Sequence, residues 1–517
     1  MKTAQWLSVA ALLVASHISA QSTTDATPQP GDPPTRVARL NFLDGEVSFQ
    51  PAGLEDWTDA TINYPLTTGD HLVTLKEARA ELHIGQNAIR LDANSNFGFL
   101  NLDDSIVQVS LTEGSMEIHL HQLDDNDSFE VATPNGAITL LRTGDYRIDT
   151  DPDRDATMLT VRAGQAELYS GSSSMIIKAQ ETAYVHENQD PDVRVANETD
   201  TFDTFASSRD SATGTVAATS PVAPEVTGAE DLNNYGSWQN LPAVGDVWVP
   251  PVAADWAPYS DGDWSYVEPW GWTWVDSAPW GFAPFHYGRW IFARNRWMWV
   301  PDSRTTPVVY APALVAFYGG GASGTVSWYA LGPREPWIPP WRTAQIGALG
   351  LPTSQPVKYS VPTNRNAPNA IRTLSQIDFV GATRVKPGLA LSVEGDPQGS
   401  APPLAPVRDS VLAGTIRPHP AIANRPLIAR TAPPPAPILF TYRQGLLAQN
   451  HGRPLAAKQL EDLRKQVPYA TVQRPVVRAS KPLIATPKPA PKPVPARPGA
   501  ARPGTRATAA APPGGQH

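Results

Sequence analysis

Residues 37 to about 185 alternate apolar and polar positions in many short runs. In the clearest run, Met116, Ile118 and Leu120 alternate with polar residues. Because successive side chains of a strand point to opposite faces, this period of two is typical of strands with one buried face. A Gly-x-x-x-apolar motif opens several runs, and Gly114 and Gly164 are expected to sit at strand connections with positive φ. The pattern predicts an all-β domain, either a short-strand β-solenoid or a sandwich.

The pattern changes between residues 235 and 341, where aromatic residues replace aliphatic ones. This stretch holds 14 of the 16 tryptophans. The dipeptide Trp-Val recurs at Trp248, Trp274 and Trp299, at offsets of 26 and 25 residues. Such a period marks a small structural unit that is used about three times. We therefore predict a Trp-rich domain of repeated β-hairpins over residues 233–345.

The repeat also predicts which aromatic rings are buried. Because Trp248, Trp274 and Trp299 occupy equivalent positions, we expect them to lie together in the core. Burying one tryptophan removes about 150–250 Å² from water, so most rings are expected to be structural. Trp270 and Trp280 lie in Pro-Trp-Gly steps typical of turns. We expect these two rings to be exposed, and they are the candidate ligand contacts.

The start of the chain is typical of an exported protein. Residues 1–20 combine Lys2, a short apolar run and a small residue at Ala20, which predicts a cleaved secretory signal peptide. The apolar run is shorter than the roughly 20 residues that cross a bilayer, so we expect no transmembrane segment. The chain has no cysteine and thus no residue for a disulfide or a lipid anchor. We expect a periplasmic or secreted protein.

Composition places the other boundaries. Residues 21–35 and 191–232 lose the alternation and are predicted to be linkers, which leaves 36–190 for the first β domain. Residues 346–517 are rich in proline, which blocks both helix and sheet, and they predict a mostly disordered tail. Two short helices are predicted within these segments, over Thr201–Asp210 and Leu455–Val467.

Charge is unevenly distributed along the chain. The net charge is −9, but residues 401–517 carry 17 Lys and Arg against 3 Asp and Glu. The basic tail has two candidate targets, an anionic polymer of the envelope and the acidic front of its own chain. A solvated tail whose charge maintains solubility is the simpler interpretation. Export argues against nucleic acid as a partner.

Two groups of residues could suggest metal binding. Four aspartates alternate between positions 149 and 155, but Arg154 and Thr160 occupy the places where an EF-hand needs Gly and Glu. We interpret this run as an acidic hairpin tip. His119 and His121 point to one face of a strand without an identifiable third ligand, and we interpret them as solvated. Nucleophile elbow, HExxH and phosphate-loop motifs do not occur. We predict a protein without enzyme activity, cofactor or metal.

Several motifs of the first domain occur in a recognisable order. They are Gly45-Glu46-Val47, Leu66-Thr67-Thr68-Gly69-Asp70-His71-Leu72, Ala80-Glu81-Leu82, Gly114-Ser115-Met116 and Thr133-Pro134. In this order they resemble FecR-type periplasmic domains over about Arg36–Tyr184. Family members commonly follow Thr-Pro with Arg-Gly-Thr, whereas this chain reads Arg142-Thr143-Gly144. The ferric-citrate regulator that names the family spans the membrane and controls a sigma factor. We see no counterpart of its membrane helix and cytoplasmic segment and do not transfer that mechanism.

The Trp-rich stretch has its own resemblance. Pro269-Trp270-Gly271-Trp272 and Pro279-Trp280-Gly281-Phe282 resemble a Trp-rich family of unknown function that follows FecR-type domains, over about Leu232–Trp341. This resemblance implies an architecture but no activity.

Three functional hypotheses follow from the sequence. The first is an exported, non-enzymatic interaction or scaffolding protein of the cell envelope, whose partner is a protein or a polysaccharide. The second is a polysaccharide- or peptidoglycan-binding protein that uses exposed tryptophan rings. The third is a sensory component of a FecR-like signalling system.

Overall fold

The structure is a computed structural model. It describes residues 31–170, 173–186, 190–196, 198–213, 220–242, 244–319, 324–333, 335, 337, 339–341, 364–386, 404–411, 425–467 and 476–478. All of them belong to one compact unit, Met1–Ser480. Within this part of the chain, no helix is long and apolar enough to cross a membrane. The predicted signal peptide, residues 1–20, lies outside the described residues.

The first domain is built from short strands, as the alternating pattern predicts. Its strands are β1 Ala38–Asp44, β2 Val47–Gln50, β3 Thr58–Asp59, β4 Pro65–Leu66, β5 His71–Thr74, β6 Arg79–Ile84, β7 Asn87–Leu91, β8 Asn96–Leu102, β9 Ile106–Leu120, β10 Ser128–Ala132, β11 Ala137–Leu140, β12 Gly144–Asp151, β13 Ala156–Val161, β14 Gln165–Ser170, β15 Ser173–Lys178, β16 Glu181–His186 and β17 Asp192–Val195.

These strands form two sheets that share β9. Sheet A has the order β4-β1-β6-β7-β9-β12-β13-β16-β17. Sheet B has the order β3-β2-β5-β8-β9-β10-β11-β14-β15. The first half of β9 pairs in sheet B and its second half in sheet A. Both sheets contribute to one aliphatic core, with fully buried Leu82, Ile118, Val131 and Leu168. Of the two predicted architectures, this is the sandwich.

Gly114 and Gly164 have the backbone conformation that the sequence predicts. Gly114 bends β9 where it passes between the sheets, with φ +86°, and a Cβ there would lie 2.5 Å from the Cα of Ser95. Gly164 joins β13 to β14 with φ +91°, and a Cβ there would lie 2.2 Å from the hydroxyl of Tyr146. The predicted positive φ is confirmed at both positions, although Gly114 lies inside one long strand and not between two strands.

The outer face of sheet A is covered by the segment that the sequence assigns to a linker. Helix α1, Thr201–Thr213, confirms the predicted helix and buries Phe202. Its Arg209 donates to Glu81 at 2.7 Å, and its Asp210 accepts from Arg90 at 2.6 Å. Glu81 and Arg90 are almost fully buried. The described part of 191–232 is therefore a packed layer, because charged groups on the sheet face need partners on the covering helix.

The Trp-rich domain contains the predicted antiparallel hairpins. Its strands are β18 Ser237–Leu241, β19 Gly245–Val249, β20 Gly262–Val267, β21 Gly271–Asp276, β22 Arg289–Ala293, β23 Arg296–Val300, β24 Val315–Gly319, β25 Thr325–Ala330 and β26 Arg372–Ser375. Its short helices are α2 Leu232–Tyr235, α3 Ala283–His286 and α4 Gln376–Val380, and a 3-10 turn spans Ala229–Asp231.

Each of the three repeats is one hairpin with a pair of tryptophans opposite each other. The pairs are Trp238 with Trp248, Trp264 with Trp274, and Trp290 with Trp299. Strand β19 also pairs with β23, which joins the first and third hairpins into one sheet. The predicted joint burial of the repeated rings is confirmed, since Trp248, Trp274 and Trp299 are each 0% exposed.

A glycine two residues before the first tryptophan makes space for the second ring in each hairpin. A Cβ on Gly236 would lie 2.3 Å from the indole of Trp248. A Cβ on Gly262 would lie 2.7 Å from the indole of Trp274, and one on Gly288 would lie 2.7 Å from that of Trp299. The repeated unit is thus Gly-x-Trp followed by Trp-Val. In each of the three hairpins, the tryptophan of Trp-Val packs over a position that only glycine leaves open.

The two β domains are joined by a buried polar contact. Arg39 is 1% exposed and donates to Asn63 at 2.9 Å and to the carbonyl of Pro279 at 2.6 Å. It also forms an ion pair with Asp231. Asn63 donates to the carbonyl of Ala278 at 2.6 Å. Because a buried guanidinium is costly without partners, these bonds fix the Trp-rich domain on the first domain.

Parts of the chain beyond residue 345 are built into both domains. Strand β26 pairs with β25 and so extends the Trp-rich domain past its predicted boundary. Further elements are α5 Arg408–Val411, β27 Leu427–Ala429, α6 Phe440–Gln449, α7 Ala457–Gln466 and β28 Val476–Arg478. Helix α7 confirms the predicted helix over Leu455–Val467. These segments are ordered parts of a region that the sequence predicts to be mostly disordered, and they fold against surfaces of the two domains. The rest of 346–517 lies outside the described residues.

Candidate functional site

Residues 425–438 of the C-terminal part lie extended across the first domain. We call the surface beneath them the docking face. On this face the carboxylate of Glu130 accepts the backbone N–H of Arg430 at 2.6 Å and that of Thr431 at 3.1 Å. The side-chain amide of Gln108 donates to the carbonyl of Thr431 at 2.8 Å. The docking face therefore binds the backbone of an extended chain through both donors and acceptors.

The strand register brings the two polar groups together. Gln108 on β9 is the parallel partner of Glu130 on β10, and their side chains are 3.2 Å apart. The neighbouring Phe129 and Val131 point into the core, so Glu130 points outward. Yet Glu130 is only 1% exposed and Gln108 is 0% exposed, because residues 425–438 cover them. An outward carboxylate that is buried by a distant part of the chain marks a binding surface.

Side chains of residues 425–438, which we call the docked segment, add separate contacts. Leu427 and Ala429 are fully buried against Ala132. Ile428 donates its backbone N–H to the carbonyl of Thr133 at 2.9 Å, which forms a single antiparallel bridge. The buried apolar side chains of Leu427 and Ala429 thus flank a backbone group that bonds to the first domain, while the strand ladder of β27 is formed with β28, in parallel.

Two arginines of the docked segment contact the rim of the docking face. Arg425 forms an ion pair with Asp155, which lies at the tip between β12 and β13. The guanidinium of Arg430 lies 5.1 Å from the ring centroid of Tyr169, a cation–π distance. The sequence offers two targets for the basic tail. These residues contact one of them, the acidic front of the same chain.

A proline run in the docked segment lies beside a cavity of the first domain. Residues 433–437 line a cavity of about 200 Å³ together with Leu54, Thr68 and Phe99 of the first domain. A Cβ on Gly69 would lie 2.4 Å from Cγ of Pro437. The turn at Gly69 thus leaves space for a proline ring that a side chain would fill.

Helix α6 anchors the end of the docked segment between the two domains. Phe440 donates its backbone N–H to the carbonyl of Gly53 at 2.9 Å. Phe440 and Leu447 pack with Leu54 of the first domain and Tyr266 of the Trp-rich domain in one apolar cluster. The docked segment is therefore held at its C-terminal end by an independent apolar contact.

The expected exposure of Trp270 and Trp280 is wrong. Trp270 is 1% exposed, packs edge-on against Tyr310 at 4.9 Å and donates to the carbonyl of Pro34 at 3.1 Å. Trp280 is 5% exposed and lies 5.1 Å from the ring of Trp248. Their Pro-Trp-Gly turns point towards neighbouring repeats and the N-terminal segment, not towards solvent. Neither ring has a free face for a sugar.

The structure adds partners to His119 that the sequence did not identify. Its Nδ1 lies 2.6 Å from Asp145 and 3.8 Å from Asp210. The hydrogen bond with Asp145 raises the pKa of His119. These three groups lie close enough to share a metal ion. However, Arg90 already donates to Asp210 at 2.6 Å, so the arrangement is explained as an ion-pair network. His121 is exposed, as predicted.

Asp151, Asp153 and Asp155 form the predicted hairpin tip, whereas Asp149 lies within β12 and accepts from the hydroxyl of Ser115 at 2.6 Å. Asp151 accepts the backbone N–H of Asp153 at 3.0 Å and of Arg154 at 3.1 Å, which closes the turn between β12 and β13.

The residues of the docking face were missed by the sequence analysis. Glu130 and Gln108 occupy outward strand positions, where polar residues are ordinary and give no signal. The opposite charges of the front and the tail were the available signal, and they do not identify positions.

Comparison with known proteins finds a family match for part of the chain. Residues 229–335 match a family of unknown function, DUF6600. The match covers the Trp-rich hairpins and agrees with the predicted resemblance, but it spans less than half of the chain. The resemblance of the first domain to FecR-type domains remains a prediction from its motifs. No curated protein matches the chain.

Solved structures give a weak similarity. Two crystal structures of a proposed anti-sigma factor from Parabacteroides distasonis, at 1.65 and 2.50 Å resolution, each match with 18% identity and a TM-score of 0.22. Each match covers 25% of this chain and 59% of that chain. The match thus spans less than two thirds of that protein.

Proposed function

We propose that this protein is an exported, non-enzymatic interaction or scaffolding protein of the cell envelope, and that its docking face binds extended polypeptide segments. The observation that carries the proposal is the pair of bonds from the backbone N–H groups of Arg430 and Thr431 to Glu130. Arg430 and Thr431 follow Glu130 by 300 and 301 positions in the sequence. A surface that holds a remote part of its own chain by backbone contacts has the chemistry to hold other chains.

The contacts favour a polypeptide over other ligands. A carboxylate that accepts two adjacent backbone N–H groups suits a chain with regularly spaced donors, and such charge-assisted bonds are stronger than neutral ones. The amide of Gln108 supplies the complementary donor. When a protein binds an extended peptide, backbone bonds supply affinity and pockets for side chains supply specificity.

The alternative of sugar binding through tryptophan rings receives less support. Stacking on a sugar needs an exposed ring face, whereas Trp270 and Trp280 are buried. The location in the envelope rests on the predicted signal peptide at residues 1–20. A sensory role in a FecR-like system is compatible with peptide binding, and its basis is the motif resemblance of the first domain.

A peptide-display selection tests the proposal. The target is the full-length protein carrying Leu427→Asp and Arg430→Glu. The first substitution places a charge at the buried apolar position of Leu427, and the second replaces the cation beside Tyr169 with an anion. We expect this variant to enrich extended peptides and to lose that enrichment when Glu130→Ala is added. Neither protein should be retained specifically by insoluble peptidoglycan. Retention on peptidoglycan without peptide enrichment would reject the proposal in favour of polysaccharide binding.

A further inference from the structure

We infer that the docking face is selective for a basic, proline-rich extended segment, and that residues 425–438 act as a tethered self-ligand that competing segments must displace. This inference rests on the proposed peptide-binding function and adds the ligand class and the regulation. The inference is carried by the order of four contact positions along the face, each of which we call a seat. In chain order they hold the cation of Arg425, the apolar side chain of Leu427, the cation of Arg430 and the proline run at residues 433–437.

The first part of the face selects charge and size together. Asp155 forms the ion pair with Arg425, and Tyr169 lies under Arg430. Between these cations, Leu427 fills a closed apolar seat with 0% exposure. A segment with acidic residues at the two cation positions would face Asp155 and the electron-rich ring, so the face discriminates against acidic chains by repulsion as well as by lost contacts.

The second part of the face selects proline. The run at residues 433–437 lies over the surface beside Leu54 and Phe99, where it forms one wall of the cavity. Proline has no backbone N–H and fixes its own φ, so a proline run is extended before it binds and loses little conformational freedom. Gly69 lies so close to Pro437 that a Cβ would be 2.4 Å from its ring. This part of the face therefore matches an extended chain without backbone donors.

The docked segment is a ligand that the protein carries with it. Helix α6 holds its C-terminal end through Phe440 and Leu447, so a released segment stays near the face. A tethered ligand has an effective concentration on the order of millimolar. A segment of another protein with the same pattern then binds only in competition with residues 425–438. The tail thus sets the threshold for occupancy by a partner.

A labelled peptide of residues 425–438 tests both parts of the inference. Its binding is measured by fluorescence anisotropy with full-length wild-type protein and with the full-length Leu427→Asp, Arg430→Glu variant. We expect saturable binding to the variant and at least tenfold weaker binding to the wild type, because the wild type is already occupied. Arg430→Glu alone should give an intermediate affinity, and it serves as the second variant if the double variant does not fold.

Controls separate selectivity from general peptide binding. A peptide of the same composition in scrambled order, and one with serine at positions 433–435, should each bind the variant at least tenfold more weakly. Equal binding of all three peptides would overturn the selectivity, and equal affinity for wild type and variant would overturn the tethered-ligand role. If the display selection enriches unrelated peptides while this peptide does not bind, the inference fails and the proposed function stands. If no peptide binds, both fail.

Discussion

The two β domains form their cores by different means. The first domain uses aliphatic residues at alternate strand positions, such as Leu82, Ile118 and Val131, which are interchangeable in kind. The Trp-rich domain uses cross-strand pairs of large rings, each packed over a glycine such as Gly262. An aliphatic core follows from the period of the pattern alone. A core of rings also depends on which positions leave space for them, so inside and outside cannot be assigned from the turns.

The first prediction compares core deletions in the two domains. Trp274→Ala should lower the free energy of unfolding by about 3–5 kcal/mol, as deletion of a large buried ring does. Trp270→Ala should cost a similar amount, because this ring is buried and not in a free turn. Ile118→Val in the first domain should cost only about 0.5–1.5 kcal/mol. Urea unfolding of the full chain, followed by tryptophan fluorescence and circular dichroism, measures these values. A tolerated Trp270→Ala would show that its ring is not part of the core.

The second prediction concerns a charged contact at the boundary of the two domains. The ring of His83 lies 2.5 Å from Glu230 and 3.0 Å from Glu81, with Arg39 and Asp231 beyond Glu230. Burial lowers the pKa of His83, but Glu230 and Glu81 outweigh burial and raise the pKa to about 9. Because the pKa is higher in the folded state, this stabilisation is complete below about pH 6.5 and is lost as the pH rises through 9.

The expected loss of stability from this histidine is about 3 kcal/mol between pH 6.5 and pH 10. Chemical unfolding at a series of pH values measures it for wild type and for His83→Gln, which keeps hydrogen-bonding groups but cannot become charged. The variant should lose less stability than the wild type over this range. Parallel pH profiles of the two proteins would show that His83 is not held in its charged form.

The third prediction concerns the hairpin glycines over which the tryptophan rings pack. Gly262→Ala should destabilise the protein by about 1–3 kcal/mol through overpacking, since the new Cβ would lie 2.4 Å from the carbonyl of Val275 and 2.7 Å from the indole of Trp274. Gly445→Ala in helix α6 is the matched control, because a Cβ there meets no atom within 4 Å. Alanine should be neutral or stabilising at that helical position. Equal urea midpoints for both variants would show that a glycine at position 262 is not needed to make space for the ring of Trp274.

The sequence predicted much of the fold for physical reasons that these variants probe. The period of two gave the strands of the first domain, and the spacing of Trp248, Trp274 and Trp299 gave the three hairpins. The spacing of Gly236, Gly262 and Gly288 was also present in the sequence, and it marks the ring seats. The buried ring of Trp270 donates to the carbonyl of Pro34, which lies far away in the chain. Contacts of that kind have no local signature.

The docking face was predictable only in outline. The opposite charges of the two ends indicated that the tail could bind its own front. The position of Glu130 beneath Arg430 depends on the path of a proline-rich segment, for which proline content predicts no fold of its own. The segment becomes ordered because the first domain supplies the partners for its backbone, and an isolated sequence pattern does not contain those partners.

Hydrogen exchange at the docked segment tests the central claim most directly. In full-length wild-type protein, the amides of Arg430 and Thr431 should exchange slowly, because both are donated to Glu130. In Glu130→Ala they should exchange much faster, with little change in overall stability, while amides of the hairpin Gly262–Asp276 keep their protection. Mass spectrometry of peptic fragments resolves both regions. Fast exchange at Arg430 and Thr431 in the wild type, or unchanged slow exchange in Glu130→Ala, would contradict a docking face built around Glu130.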